Sequence, residues 1–196
     1  MTNSHLSRRG IPRAFGGALV ALTASALLMA SPLRAQGSEN AAPAASPADV
    51  SSMDAILHSL YDVISGPAGH PRDWNRFRSL FISGARLIPT RTDSSGHSRT
   101  TVMSPDQFAH RADSTGAFTK QAFYENEIGR TVDTFGAVTH VFSAYASRRE
   151  PNGTPFARGI NSIQLFNDGT RWYVVTIYWQ AEHPGLTIPS KYLNGK

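Results

Sequence analysis

Apolar residues recur at Met53, Ile56, Leu57, Leu60, Tyr61 and Ile64, spaced i, i+3, i+4, i+7, i+8 and i+11. That spacing predicts a helix with one buried stripe, capped near Ser51 and Asp54 and ended by Gly66-Pro67. A second helix is expected from about Pro71, burying Trp74, Phe77, Leu80 and Phe81, turning Arg76 and Arg78 to water, and stopping at Gly84. Short strands follow at residues 85–89 and 99–103, around a turn at 93–96. Ser104-Pro105-Asp106-Gln107 then opens a third helix with an N-cap serine, a first-turn proline and a capping-box glutamine. Phe108 and Ala112 point its apolar side at the core.

From Lys120 onward the period changes to two. Residues 120–133, 138–148, 156–166 and 171–180 read as four long strands. The connections between the last three carry Glu150-Pro151-Asn152-Gly153 and Asn167-Asp168-Gly169, residues suited to hairpin turns. Helices first and a long meander last predict an α+β domain with helices on one face of a curved sheet.

The chain resembles the nuclear transport factor 2-like superfamily (SnoaL-like, ketosteroid isomerase-like, cystatin-like folds). The resemblance is carried by residues 74–81 (WNRFRSLF) with Gly84-Ala85-Arg86-Leu87, by Phe135-Gly136-Ala137-Val138-Thr139-His140-Val141-Phe142-Ser143, by Arg158-Gly159-Ile160-Asn161-Ser162-Ile163-Gln164-Leu165, and by Asp168-Gly169-Thr170-Arg171-Trp172-Tyr173-Val174-Val175 ahead of Ile177-Tyr178-Trp179. It covers roughly residues 52–193 and is nearest to exported bacterial members of unassigned function. It implies a cone-shaped half-barrel, with three N-terminal helices packed on a strongly curved antiparallel sheet around a small-molecule pocket. These motifs mark a fold and no single reaction.

Alternation sorts the strand residues into two sets. One holds Glu125, Glu127, His140, Phe142, Ala144, Arg158, Ile160, Ser162, Gln164, Tyr173, Val175, Ile177 and Trp179. Similarity to ketosteroid isomerases makes this the concave set, with Ser162 at the position of their hydrogen-bonding acid and Trp179 at that of their pocket aromatic. Ile88 then stands where their carboxylate base would be, which disfavours that activity. Within the concave set Glu127 and His140 form a candidate acid–base pair, with a structural ion pair as the alternative. Tyr61, Phe142, Arg158, Ser162, Gln164 and Trp179 are the candidate ligand contacts. The second set includes Tyr124, Asn126, Tyr145, Asn161 and Tyr178, and offers a self-complementary convex surface for a homodimer.

Charge and composition narrow the classes. The chain has 19 basic and 14 acidic residues, a net +5. Four of the arginines and no acids fall in residues 1–35, which run from a basic start (Arg8, Arg9, Arg13) through a small apolar stretch to Leu33-Arg34-Ala35. That is the pattern of a secretory signal cleaved near Ala35, with Ser7-Arg8-Arg9 a weak twin-arginine hint; it predicts a periplasmic or secreted protein without a stable membrane anchor. The remainder is nearly neutral, which argues against nucleic acid. With no cysteine, disulfides, thiolate metal sites and a cysteine nucleophile are excluded. His58, His70, His97, His110, His140 and His183 show no metal-ligand spacing, and no cofactor motif occurs, so neither metal nor cofactor is expected. Residues 36–51, rich in Ala, Pro and Ser, read as a flexible linker before one domain over 52–196.

Two functions stay open. One is an exported domain that binds a small apolar or mixed-polarity molecule and turns it over without a cofactor, in the manner of an isomerase, cyclase or dehydratase. The other is a non-catalytic dimeric binding or interaction module with a filled cone.

Overall fold

A computed structural model describes residues 43–193; the expected signal segment, residues 1–35, lies outside them. Four α-helices, α1 (Pro47–Val50), α2 (Met53–Ile64), α3 (Trp74–Ser79) and α4 (Pro105–Thr115), accompany six strands, β1 (Phe81–Thr92), β2 (Ser98–Thr100), β3 (Tyr124–Phe135), β4 (Val138–Arg148), β5 (Ala157–Asn167) and β6 (Trp172–Ala181). The sheet order is β2-β1-β6-β5-β4-β3, open at both edges. All pairs are antiparallel except β1 with β6, so the expected all-antiparallel sheet is in fact mixed. This is an α+β arrangement, with helices packed on one face of a single bent six-stranded sheet.

Local chemistry explains the elements. The Ser104 side chain accepts from Gln107 N while the Gln107 side chain accepts from Ser104 N, and Gly116 closes α4 at φ 65°. The cap of α2 is Ser52, which accepts from Ala55 N, one residue later than expected. The helix expected from Pro71 is α3, which ends at Ser79 with Leu80 as its cap, short of Gly84: Phe81 already pairs with Val174 of β6. Strand pairing wins there because Leu80 and Phe81 are almost fully buried. Leu57, Phe77, Leu80, Leu87, Val141, Ile163, Leu165 and Val174 form the core between helices and sheet.

Helix α1, Pro47–Val50, falls within the residues read as a linker. Asp49 and Val50 are buried. Asp49 accepts two bonds from Arg76, Nε to Oδ2 at 3.0 Å and Nη2 to Oδ1 at 2.8 Å, and one from Ser59 Oγ at 2.9 Å. Arg76, expected to face water, is thereby an internal clasp, and it reaches Asp62 as well. The Arg76 fork holds the Asp49 carboxyl below the ordinary aspartate range, against the opposing effect of burial. Asp49→Ala is expected to cost about 2 kcal/mol, below the range for a fully buried pair because Arg76 keeps some solvent access. A denaturation midpoint unchanged from the wild type would refute this role.

Three register irregularities bend the strands, between Phe81 and Arg86, Glu127 and Gly129, and Gln164 and Leu165. The C-terminal segment then crosses the convex face. Tyr192 packs on Phe142 with ring centroids 4.8 Å apart. A Cβ on Gly129 would sit 2.4 Å from Tyr192 O, so only glycine permits this approach. The segment covers Ala144, which is fully buried although it faces away from the helices.

Candidate functional site

The concave side of the sheet encloses a cavity of about 1000 Å³. One wall is aromatic. Trp179 meets Phe108 edge-on, Phe108 stacks on Phe77, and Phe118, Phe123 and Phe156 continue the series. Leu60, Ile64, Leu87, Met103, Ile163 and Ile177 complete the apolar lining. Against this stands a polar strip made of Tyr61, Glu125, Tyr145, Ser147 and Asn161.

Glu125 lies opposite Ser147 in the β3–β4 register, and Ser147 Oγ donates to its Oε2 at 2.6 Å. Among the described residues no cation forms an ion pair with it. Desolvation therefore pushes the carboxyl up to about 7, the Ser147 bond opposing only in part. A carboxyl that titrates near neutrality inside an apolar cavity can both give and take a proton. Tyr145 is raised well above the ordinary phenol range, first by burial and then by the nearby Glu125, so it enters the strip as a hydrogen-bond donor. Its ring lies across Gly159, where a Cβ would come within 2.6 Å of Tyr145 Oη and 2.4 Å of Gln180 O.

Tyr61 and Glu125 form the partition between this cavity and a second, polar hollow of about 940 Å³ that is also lined by Asp54, His58, Glu127, Arg130 and Arg148. A directed hydrogen-bond chain crosses this partition. Ser143 Oγ donates to Glu127 Oε2 at 2.5 Å, so its one proton is committed and Tyr61 Oη must donate to Ser143, at 2.7 Å. Asn161 Nδ2 in turn donates to Tyr61 Oη at 3.1 Å. Arg130 donates to the other oxygen of Glu127 at 3.1 Å. Burial raises the Tyr61 pKa well above the ordinary phenol range, which keeps the phenol protonated in this chain.

The structure divides the expected site. Tyr61 and Trp179 line the cavity. Glu127 faces the helices and is held by Ser143 and Arg130. His140, Phe142, Arg158, Ser162 and Gln164 lie on the convex face instead. His140 Nε2 is 3.0 Å from Ser162 Oγ, Phe142 lies under Tyr192, and Arg158 Nε is 3.8 Å from Glu182. The Glu127–His140 pair does not form, for two physical reasons. Glu127 is opposite Tyr145 while His140 is opposite Asp133, five positions further along, or about 17 Å of strand. The two residues also face opposite sides. Tyr145 and Asn161, assigned to a convex dimer surface, belong to the cavity.

Ile177 and Trp179 keep their expected concave placement while Ser162 and Gln164 lose theirs, because the irregularity at Gln164/Leu165 shifts the phase of β6 by one residue. Glu125 was recognisable as a site residue from one signal, an acid among Phe123, Tyr124 and alternating strand residues without a basic neighbour. Among the described residues, no group of three or more His, Asp or Glu side chains is placed to hold a metal ion.

No family model and no curated protein sequence matches the chain. Among solved structures it is similar to a nuclear transport factor 2-like protein of unknown function from Silicibacter pomeroyi DSS-3, with 11% identity over 67% of this chain and 94% of that one and a TM-score of 0.46. It is also similar to a nuclear transport factor 2-like protein from Cytophaga hutchinsonii ATCC 33406, with 14% identity, 66% and 97% coverage and a TM-score of 0.46. A third, of unknown function from Shewanella baltica OS155, shares 11% identity over 67% and 98% of the two chains, with a TM-score of 0.37. These likenesses concern the fold alone.

Proposed function

We propose that this nuclear transport factor 2-like domain is exported, binds a small, mostly apolar molecule in its concave cavity, and moves a proton on it with Glu125, without a cofactor. The observation that carries the proposal is a half-buried glutamate, its carboxyl pushed up to about 7, lining a cavity with aromatic walls. Near neutral pH such a group is present in both protonation states, which suits proton transfer at a carbon beside a carbonyl, or assisted loss of a hydroxyl, as in isomerase- or dehydratase-like chemistry. Tyr145 and Asn161 would hold the polar group of the ligand. Trp179 and Phe108 would exclude water. The basic-then-apolar N-terminal sequence supports export. An open cavity favours this reading over an interaction module with a filled cone.

The test is a thermal-shift screen of the mature protein against small apolar ketones, alcohols and enones, followed by turnover assays on the hits. A ligand at 100 times its dissociation constant adds about 2.7 kcal/mol of stability. Chemically related hits are expected, with Glu125→Gln keeping the shift and losing turnover. Hits whose turnover survives Glu125→Gln would remove the acid–base role. A screen with no hits would remove the binding reading.

A further inference from the structure

The cavity opens between the β1–β2 hairpin and α4, and its mouth carries Arg91, Arg99 and Arg111. All three are exposed. Among the described residues none of them forms an ion pair; the arginines that do are Arg76, Arg78, Arg130 and Arg158. The acids of α4 are engaged elsewhere, Asp106 by Arg78 and Asp113 by the Trp74 indole. Asp93 also borders the mouth, but its carboxylate accepts from Ser95 and His97 within its own turn.

Arg91 and Arg99 are directly opposite each other in the β1–β2 register. Like charges so placed destabilise a strand pair, and no acid relieves this one. Arg111 lies outside the last turn of α4, so the pull of a helix C-terminus does not account for it, and no contact among the described residues accounts for the opposed pair. A favourable interaction with an anion outside the protein can.

The two ends of the cavity thus differ in kind. The mouth is cationic, the walls are aromatic, and the far end holds Glu125 with the Tyr145 phenol and Asn161. An anionic group near Glu125 would make its ionised form still costlier, so the anion belongs at the mouth. We propose that the ligand is an amphipathic anion, an apolar body carrying a carboxylate or similar anionic head, bound with the body inside and the head between Arg91, Arg99 and Arg111. This rests on the cavity being a ligand site and adds the chemical class of its occupant.

The experiment uses N-phenyl-1-naphthylamine as a neutral fluorescent reporter of the cavity at pH 8, displaced in parallel by decanoate and by 1-decanol. The expected result is displacement by decanoate at a concentration at least tenfold lower than by decanol. That advantage should shrink as salt rises, since exposed charges are screened, and disappear in an Arg91→Gln, Arg99→Gln, Arg111→Gln triple variant. The three side chains are exposed, so the variant should fold, and reporter binding to it confirms that it has. Equal or better displacement by decanol, or a decanoate advantage that survives the triple variant, overturns the inference and leaves the cavity reading standing. A reporter that does not bind the wild type overturns both.

Discussion

Arg72→Met is expected to destabilise the domain by about 3–5 kcal/mol, since each buried carbonyl left without a donor costs about 1–3 kcal/mol and water can recover only part. Arg72 is only 6% exposed, yet no acid faces it. Its guanidinium donates instead to four carbonyls: Nε to Ile64 O at 2.8 Å, Nη1 to His70 O at 2.7 Å, and Nη2 to Gly66 O at 2.9 Å and Phe118 O at 2.6 Å. Burial pulls its pKa below the ordinary guanidinium value. These bonds join the end of α2, the following loop and the segment leading to β3, and so fix Ile64 and Phe118 in the cavity wall. Gly66 belongs to the same arrangement, because a Cβ there would lie 2.7 Å from Arg72 Nη1. Arg72→Lys should fail nearly as badly: an ammonium is one point, and it cannot fan out to four acceptors. The check is a denaturant titration. A loss under about 1 kcal/mol for both variants would show that water replaces the guanidinium freely.

Much of this fold was legible because it depends on short-range chemistry. The Ser104/Gln107 box, the Gly66-Pro67 stop and the apolar stripe of α2 each act within a few residues, and each predicts an element that is present. Pairing within β4–β5 was also readable, since Asn152-Gly153 fixes where the hairpin turns. What the sequence concealed is which face becomes concave. A β-bulge reverses the alternation without leaving a compositional mark, and β3 and β6 each contain an irregularity. Ser162 and His140 were therefore assigned to the wrong side, while Trp179, beyond the bulge in its own strand, was assigned correctly. Ala144 was placed on the concave side with His140 by the same alternation. It is buried beneath the C-terminal segment, a contact between residues far apart in the chain that no local pattern announces. Glu125 was placed on the concave side but given no role, because a carboxyl left without a counter-charge is a tertiary property.

Glu125→Gln is expected to make the protein more stable above neutral pH and less active. In the unfolded chain this carboxyl titrates near its ordinary value of 4.5, and in the folded protein at about 7. A raised carboxyl pKa means that the folded state holds the proton more tightly. Its contribution is complete below the unfolded pKa and is lost as pH rises through the folded one. At about 1.4 kcal/mol per pKa unit, this one side chain withdraws about 3 kcal/mol of stability from the wild type between pH 4.5 and pH 8. Glutamine carries no charge to bury, and its carbonyl can still accept the Ser147 hydroxyl, so the variant should lack that loss. Asp49 does not confuse the measurement. Its pKa is lowered, so its contribution fades only as pH falls through and below the ordinary aspartate range. Denaturation midpoints at pH 5 and pH 8 decide the matter. The variant should gain roughly 2–3 kcal/mol on the wild type between the two, a shift of several degrees in Tm for a domain of this size. Parallel profiles would mean that Glu125 is hydrated or neutralised in solution, and would remove the group on which the proposed acid–base role depends. A gain in stability bought with a loss of turnover is what a charge kept in an apolar cavity for chemistry should produce.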